Sequence, residues 1–159
     1  MNGESVGKYL TFDLAGQCFA VDVSRVEVVL ESMPITRVPK ASEHLRGVIN
    51  YRGSVIPVAD MRTRFGEGRS PAGPGSSIIV LQLRYGPDEI TIGMLADSVR
   101  EVVDLGAELI ERPPQIGSRI DDALVAGIAR KGDEFIVMLD IDEAFKAGAS
   151  AGERSAEPR

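Results

Sequence analysis

Gly47-Val48-Ile49-Asn50-Tyr51-Arg52-Gly53-Ser54-Val55-Ile56-Pro57-Val58-Ala59 decides the fold of this chain. Two short β-branched runs flank Tyr51-Arg52-Gly53, and Gly53 can supply the positive φ of a tight hairpin turn. The stretch therefore predicts two antiparallel strands, Gly47 to Asn50 and Ser54 to Ala59. Upstream, similar runs predict strands at Tyr9 to Leu14, Cys18 to Val23 and Val26 to Leu30, the first two joined by a turn at Ala15-Gly16. A longer connection from Glu31 to Arg46 carries Pro34 and Pro39 and is expected to end in a helical turn.

Downstream the pattern recurs, with strands predicted at Ile78 to Arg84, Ile90 to Leu95, Val99 to Leu105, Val125 to Arg130 and Glu134 to Leu139. Eighty residues beyond the hairpin, Gly47 falls on Gly127, Val48 on Ile128, Ile56 on Ile136, Asp60 on Asp140 and Phe65 on Phe145. At a shift of seventy-three, Ala20 falls on Gly93, Val21 on Met94, Val26 on Val99 and Val29 on Val102. Two copies of a five-stranded unit thus account for nearly the whole chain, each expected to close into a small barrel that protects its strand edges. The expected divisions are an N-terminal tail at 1–7, a first barrel half at 8–66 and a flexible Gly/Pro/Ser linker at 67–77. A second half at 78–141, a short helix at 142–147 and a disordered tail at 148–159 follow.

Composition narrows the function. Among 159 residues, Asp and Glu outnumber Lys and Arg by 24 to 18, a net charge of −6 that works against binding a phosphate backbone. No apolar run approaches the roughly 20 residues of a membrane span. The polar start, Met1 to Lys8, lacks the apolar stretch of a signal peptide. The expectation is a cytoplasmic protein with no nucleic-acid partner and no direct membrane insertion.

Catalytic chemistry has little to build on. The single cysteine, Cys18, lies in a strand run and is expected to be a packed thiol, because its sequence neighbours offer no cation or His to activate it. The single histidine, His44, is expected to be a turn residue. An enzyme would have to use Asp140, Asp142 and Glu143 as carboxylates for a divalent ion or for acid–base work. Since Asp60 and Asp140 occupy the same place in the two repeats, a repeated capping role accounts for them better. No catalytic residue, metal site or cofactor is therefore assigned.

The segment Gly47 to Arg62 resembles the signature of the CheW family, G-V-x-N-L-R-G-x-[VI]-[VI]-P-[VI]-x-D-L-R, departing chiefly at Tyr51 and Met61. Phe19-Ala20-Val21-Asp22-Val23 and Gly93-Met94-Leu95-Ala96-Asp97-Ser98-Val99-Arg100-Glu101-Val102 extend the resemblance across Tyr9 to Phe145. It implies an all-β fold of two five-stranded SH3-like β-barrel subdomains packed together, with a short C-terminal helix. It also implies a non-catalytic adaptor in bacterial chemotaxis, cytoplasmic and recruited to membrane receptor arrays. The implied partners are the regulatory domain of a CheA-type histidine kinase and the cytoplasmic hairpin tip of a chemoreceptor. CheW-like couplers also serve surface-motility and second-messenger pathways.

The family's receptor groove maps onto Val21, Val23, Val26, Val28 and Arg52, facing Met94, Val99 and Val102. Several of these valines are also what any barrel core needs. The family's third strand commonly reads V-x-E-[VI], whereas Val26-Glu27-Val28-Val29 moves the carboxylate by one position and hence to the other face.

Overall fold

The computed structural model describes residues 6–31, 33–40, 44–64, 76–111 and 124–145. Every expected strand is present within a few residues of its expected ends. In chain order they are β1 (Val6–Leu14), β2 (Gln17–Asp22), β3 (Val26–Glu31), β4 (Leu45–Tyr51) and β5 (Ser54–Ala59). A four-residue helix α1 (Met61–Arg64) follows, then β6 (Ser77–Tyr85), β7 (Asp88–Ala96), β8 (Ser98–Gly106), the two-residue β9 (Ile110–Glu111), β10 (Val125–Lys131) and β11 (Glu134–Leu139). A helical turn at 141–145 ends the described chain, one residue ahead of the expected start. Expectations for residues 1–5, 41–43, 67–75 and 146–159 lie outside the described residues. The linker was expected to reach Ser77, but that residue is buried and opens β6.

The fold is all-β, two curled sheets that form two packed SH3-like barrels. One sheet has six strands in the order β8-β1-β2-β11-β10-β9, and the other has five, β3-β6-β7-β5-β4. Neither sheet is one half of the chain. The hairpin β1–β2 of the first half lies between β8 and β11 of the second, while β6–β7 of the second lies between β3 and β5 of the first. The consecutive division at 8–66 and 78–141 is therefore a division of the repeat and not of the sheets. Local hairpins were visible in the sequence, but the register that joins one half's hairpin to the other half's strands is non-local.

The exchange is symmetric in detail. Phe12 pairs with Val99 as Leu81 pairs with Val26, and Met138 pairs in parallel with Ala20 as Val58 does with Gly93. Strands buried on both faces supply three cores. Along β2, Cys18 and Ala20 face the interior of the six-stranded barrel, and Phe19 and Val21 face the core shared by both barrels. Along β6, Ile78 and Val80 face the five-stranded barrel's interior, and Ile79 and Leu81 the shared core. There the Phe12 and Phe19 rings stack with centroids 5.9 Å apart.

Candidate functional site

The β4–β5 hairpin presents the first candidate surface. Tyr51 and Ser54 pair across a two-residue turn in which Arg52 has φ +55° and Gly53 φ +84°, so both central residues are left-handed. Asn50 Oδ1 accepts a hydrogen bond from the Gly53 N–H at 3.0 Å, which fixes the turn. The Arg52 guanidinium lies 5.1 Å from the Tyr51 ring centroid, and next to it Val55 is 71% exposed. An exposed cation, an aromatic ring and an uncovered aliphatic side chain together form a surface suited to another protein. The position equivalent to Arg52 in the β10–β11 hairpin is Gly132, with φ +63°. A left-handed arginine is disfavoured by about 1 kcal/mol relative to glycine, so the turn itself does not select Arg52.

Val55 was not among the sequence candidates, nor was its counterpart Phe135, which is 53% exposed and lies 5.3 Å beneath the Arg130 guanidinium. Strict alternation could have found both, since each precedes a buried isoleucine, Ile56 or Ile136.

The remaining candidates separate into core and rim. Val21 and Met94 are fully buried in the shared core, and Val26 and Val99 pack against it from β3 and β8. These four are gathered in one place, but Val21 and Met94 touch only protein interior and offer nothing to a partner. Val28 packs on the five-stranded barrel's own core, and Val23 is half-buried in the turn after β2. Val102 is the exposed one, 49% open, on the rim of β8 opposite Leu10. Arg52 does not face Met94. Ala59, at the far end of β5, is the residue paired with Met94, which sets Arg52 about 20 Å away along the strand. The shifted carboxylate behaves as alternation requires: Glu27 is exposed and accepts a hydrogen bond from Gln82, while Val28 turns inward.

The aspartates weighed for catalysis have structural work. Asp60 Oδ1 accepts from the Arg62 N–H and Asp140 Oδ1 from the Glu143 N–H, so both aspartates cap the helical turns that follow them. Asp60 is also fully buried against the Arg46 guanidinium at 3.0 Å. Asp142 accepts from Arg25 and from the Arg84 N–H. Partial burial pushes its pKa up, but the Arg25 hydrogen bond, the Arg84 amide and both positive charges outweigh that and hold it below the usual carboxylate value.

His44 opens the described chain after the first connection, in a turn, with Nδ1 2.7 Å from Thr63 Oγ1. Thr63 Oγ1 also lies 2.7 Å from the Asp60 carbonyl, so the hydroxyl links the His44 ring to the start of α1. The fold gives the Cys18 thiol a neighbour that the sequence did not show, the Arg100 guanidinium at 3.6 Å. Burial nevertheless dominates and, with the nearby carboxylates, raises the thiol pKa against the lowering by Arg100, and Cys18 packs inside the six-stranded barrel.

Among the described residues no helix is long and apolar enough to cross a membrane. The CheW-like domain family matches residues 8–148. A chemotaxis protein CheW of Thermotoga maritima is 30% identical over 137 residues, 84% of each protein. A probable chemotaxis protein CheW of Rhizobium etli is 29% identical over 138 residues, covering 86% of this chain and 85% of that protein. The crystal structure of the scaffolding protein TtCheW from Thermoanaerobacter tengcongensis is similar with a TM-score of 0.75 at 34% identity, over 85% of this chain and 84% of that one.

Proposed function

The chain belongs to the CheW-like domain family, and from that membership we propose that it is a non-catalytic adaptor coupling chemoreceptors to a CheA-type histidine kinase. The observation that carries the reading is Arg52: a left-handed arginine stands beside exposed Val55 at a hairpin tip whose repeat uses glycine. Retaining a conformationally disfavoured cation where glycine would turn the chain is the mark of a residue kept for contact. In this reading the kinase's regulatory domain and the receptor's hairpin tip are the partners. The rim residues Val23, Val26, Val99 and Val102 border the receptor groove, while Val21 and Met94 support it from the core. The protein acts in the cytoplasm, held at membrane receptor arrays by these contacts.

The test separates fold from binding. Arg52→Ala keeps the turn strain and removes an exposed side chain, so the melting curve should move by no more than about 0.5 kcal/mol. Losing the guanidinium's fork of donors should weaken binding about ten- to a hundredfold. Calorimetric titration with a receptor hairpin fragment and with the kinase regulatory domain measures this. Wild-type affinity for both would remove Arg52 from the site, and an unfolded variant would make it structural. Affinity purification with the wild-type protein as bait then identifies whether the pathway is swimming, surface motility or second-messenger signalling.

A further inference from the structure

Of the ion pairs that join the halves among the described residues, two stand at equivalent places with opposite polarity. In the first, Arg25 from the connection between β2 and β3 meets Asp142 from the helical turn after β11, 2.5 Å apart. In the second, Asp97 from the connection between β7 and β8 meets Arg62 of α1, after β5, 3.3 Å apart. Arg62 is the repeat equivalent of Asp142, and Arg25 and Asp97 occupy the same connection one residue apart. The backbone around them matches too. Asp97 accepts from the Ala15 N–H, and Asp142 accepts from the Arg84 N–H. The Asp97 N–H donates to the Asp13 carbonyl where Arg25 Nε donates to the Gln82 carbonyl. The two sites share these contacts, but the first half contributes an arginine to each and the second half an aspartate to each.

The repeat creates a hazard that this arrangement removes. Neither half completes a sheet by itself, and the strands that β1–β2 needs, a third and a fifth, exist in both halves. Two copies of the chain could therefore pair first half with first half and second with second, the usual route of strand exchange. In a first-half pair Arg25 would meet Arg62 twice, and in a second-half pair Asp97 would meet Asp142 twice. We propose that the reversed polarity of these two ion pairs makes each half selective for the other and keeps two copies of the chain from exchanging strands through like halves. The pairs are partly exposed, side chains 22 to 34% open, so their net attraction is small and their weight lies in discriminating partners.

Transplanting one ion pair tests this in the full chain. Ser24→Asp, Arg25→Ser and Asp142→Arg together give the first site the layout of the second, so the monomer keeps an ion pair at both sites while like halves become complementary. Refolded from denaturant at high concentration, this variant should show a dimer and oligomer share raised on the order of tenfold over wild type by light scattering. Cross-linking of isotope-mixed chains should find first-half to first-half links. Adding Arg62→Asp, Asp97→Ser and Ser98→Arg restores discrimination with every charge reversed, and should return the wild-type distribution. Should the triple variant fold poorly, Arg25→Gln with Asp142→Asn removes the repulsion without new charges and should raise the dimer share less. Wild-type dimer share in both the triple and the neutral variants, or no return in the six-substitution variant, would overturn the proposal.

Discussion

The β4–β5 and β10–β11 hairpins share a fold and differ in nearly everything else. Arg52 stands where the second has Gly132, and Val55 where it has Phe135. At the far end of the strands, His44, Arg46, Asp60 and Thr63 form a polar knot. The equivalent positions hold Leu124, packed in the shared core, Ala126, Asp140 and Glu143. What both hairpins keep is what the backbone requires: a bulge at Gly47 or Gly127, an amide from Asp60 or Asp140 to the carbonyl of His44 or Leu124, and a capped helical turn. The lesson is that the repeat keeps its backbone bulge and capping chemistry, whereas the side chains at the hairpin tip and around the cap differ.

The strongest way to break this comparison is at the bulges. A Cβ on Gly47, whose φ is +155°, would stand 2.2 Å from the Thr36 carbonyl oxygen, and backbone cannot step aside. A Cβ on Gly127 would meet the Ile110 Cγ2 methyl at 2.6 Å but the nearest backbone atom, the Glu111 carbonyl oxygen, only at 3.1 Å. Gly47→Ala should therefore cost about 3 kcal/mol or more in denaturant melts, and Gly127→Ala about 1–2. Equal costs would show that the two bulges are equivalent despite their different neighbours.

A smaller difference is expected at the caps. Asp60→Ala removes a cap and the buried carboxylate facing Arg46, and should cost about 2–3 kcal/mol. Asp140→Ala removes a cap alone, worth about 1 kcal/mol. Equal losses would mean that the Arg46 pair adds nothing to the cap.

The smallest effects belong to the turns. Arg52→Gly relieves a left-handed arginine and should raise stability by up to about 1 kcal/mol, while Gly132→Arg should lower it by a similar amount. Chemical unfolding of both variants checks the signs. If Arg52→Gly destabilises, the Tyr51 stack outweighs the backbone strain.

The proposed contact surface was partly legible beforehand. Arg52 stood out because a charge interrupts an apolar motif at a turn. Val55 and Phe135 were passed over, although alternation against Ile56 and Ile136 turns both outward. Val21 and Met94 were assigned to a groove by resemblance, and both are fully buried in the shared core.

By itself the sequence determined the strands, the turns and the two-copy plan, because period-two alternation, glycines with free φ and capping aspartates act over a few residues. It also pointed to capping by Asp60 and Asp140, although not to the buried Arg46 partner of Asp60. Only the tertiary structure decided that the halves exchange hairpins, that Arg100 lies against Cys18, and that the Arg25–Asp142 and Arg62–Asp97 pairs join the halves with opposite polarity. Each of those contacts spans dozens of residues. Local propensity is blind to them, because it is the closing of both sheets across the shared core that brings these side chains together.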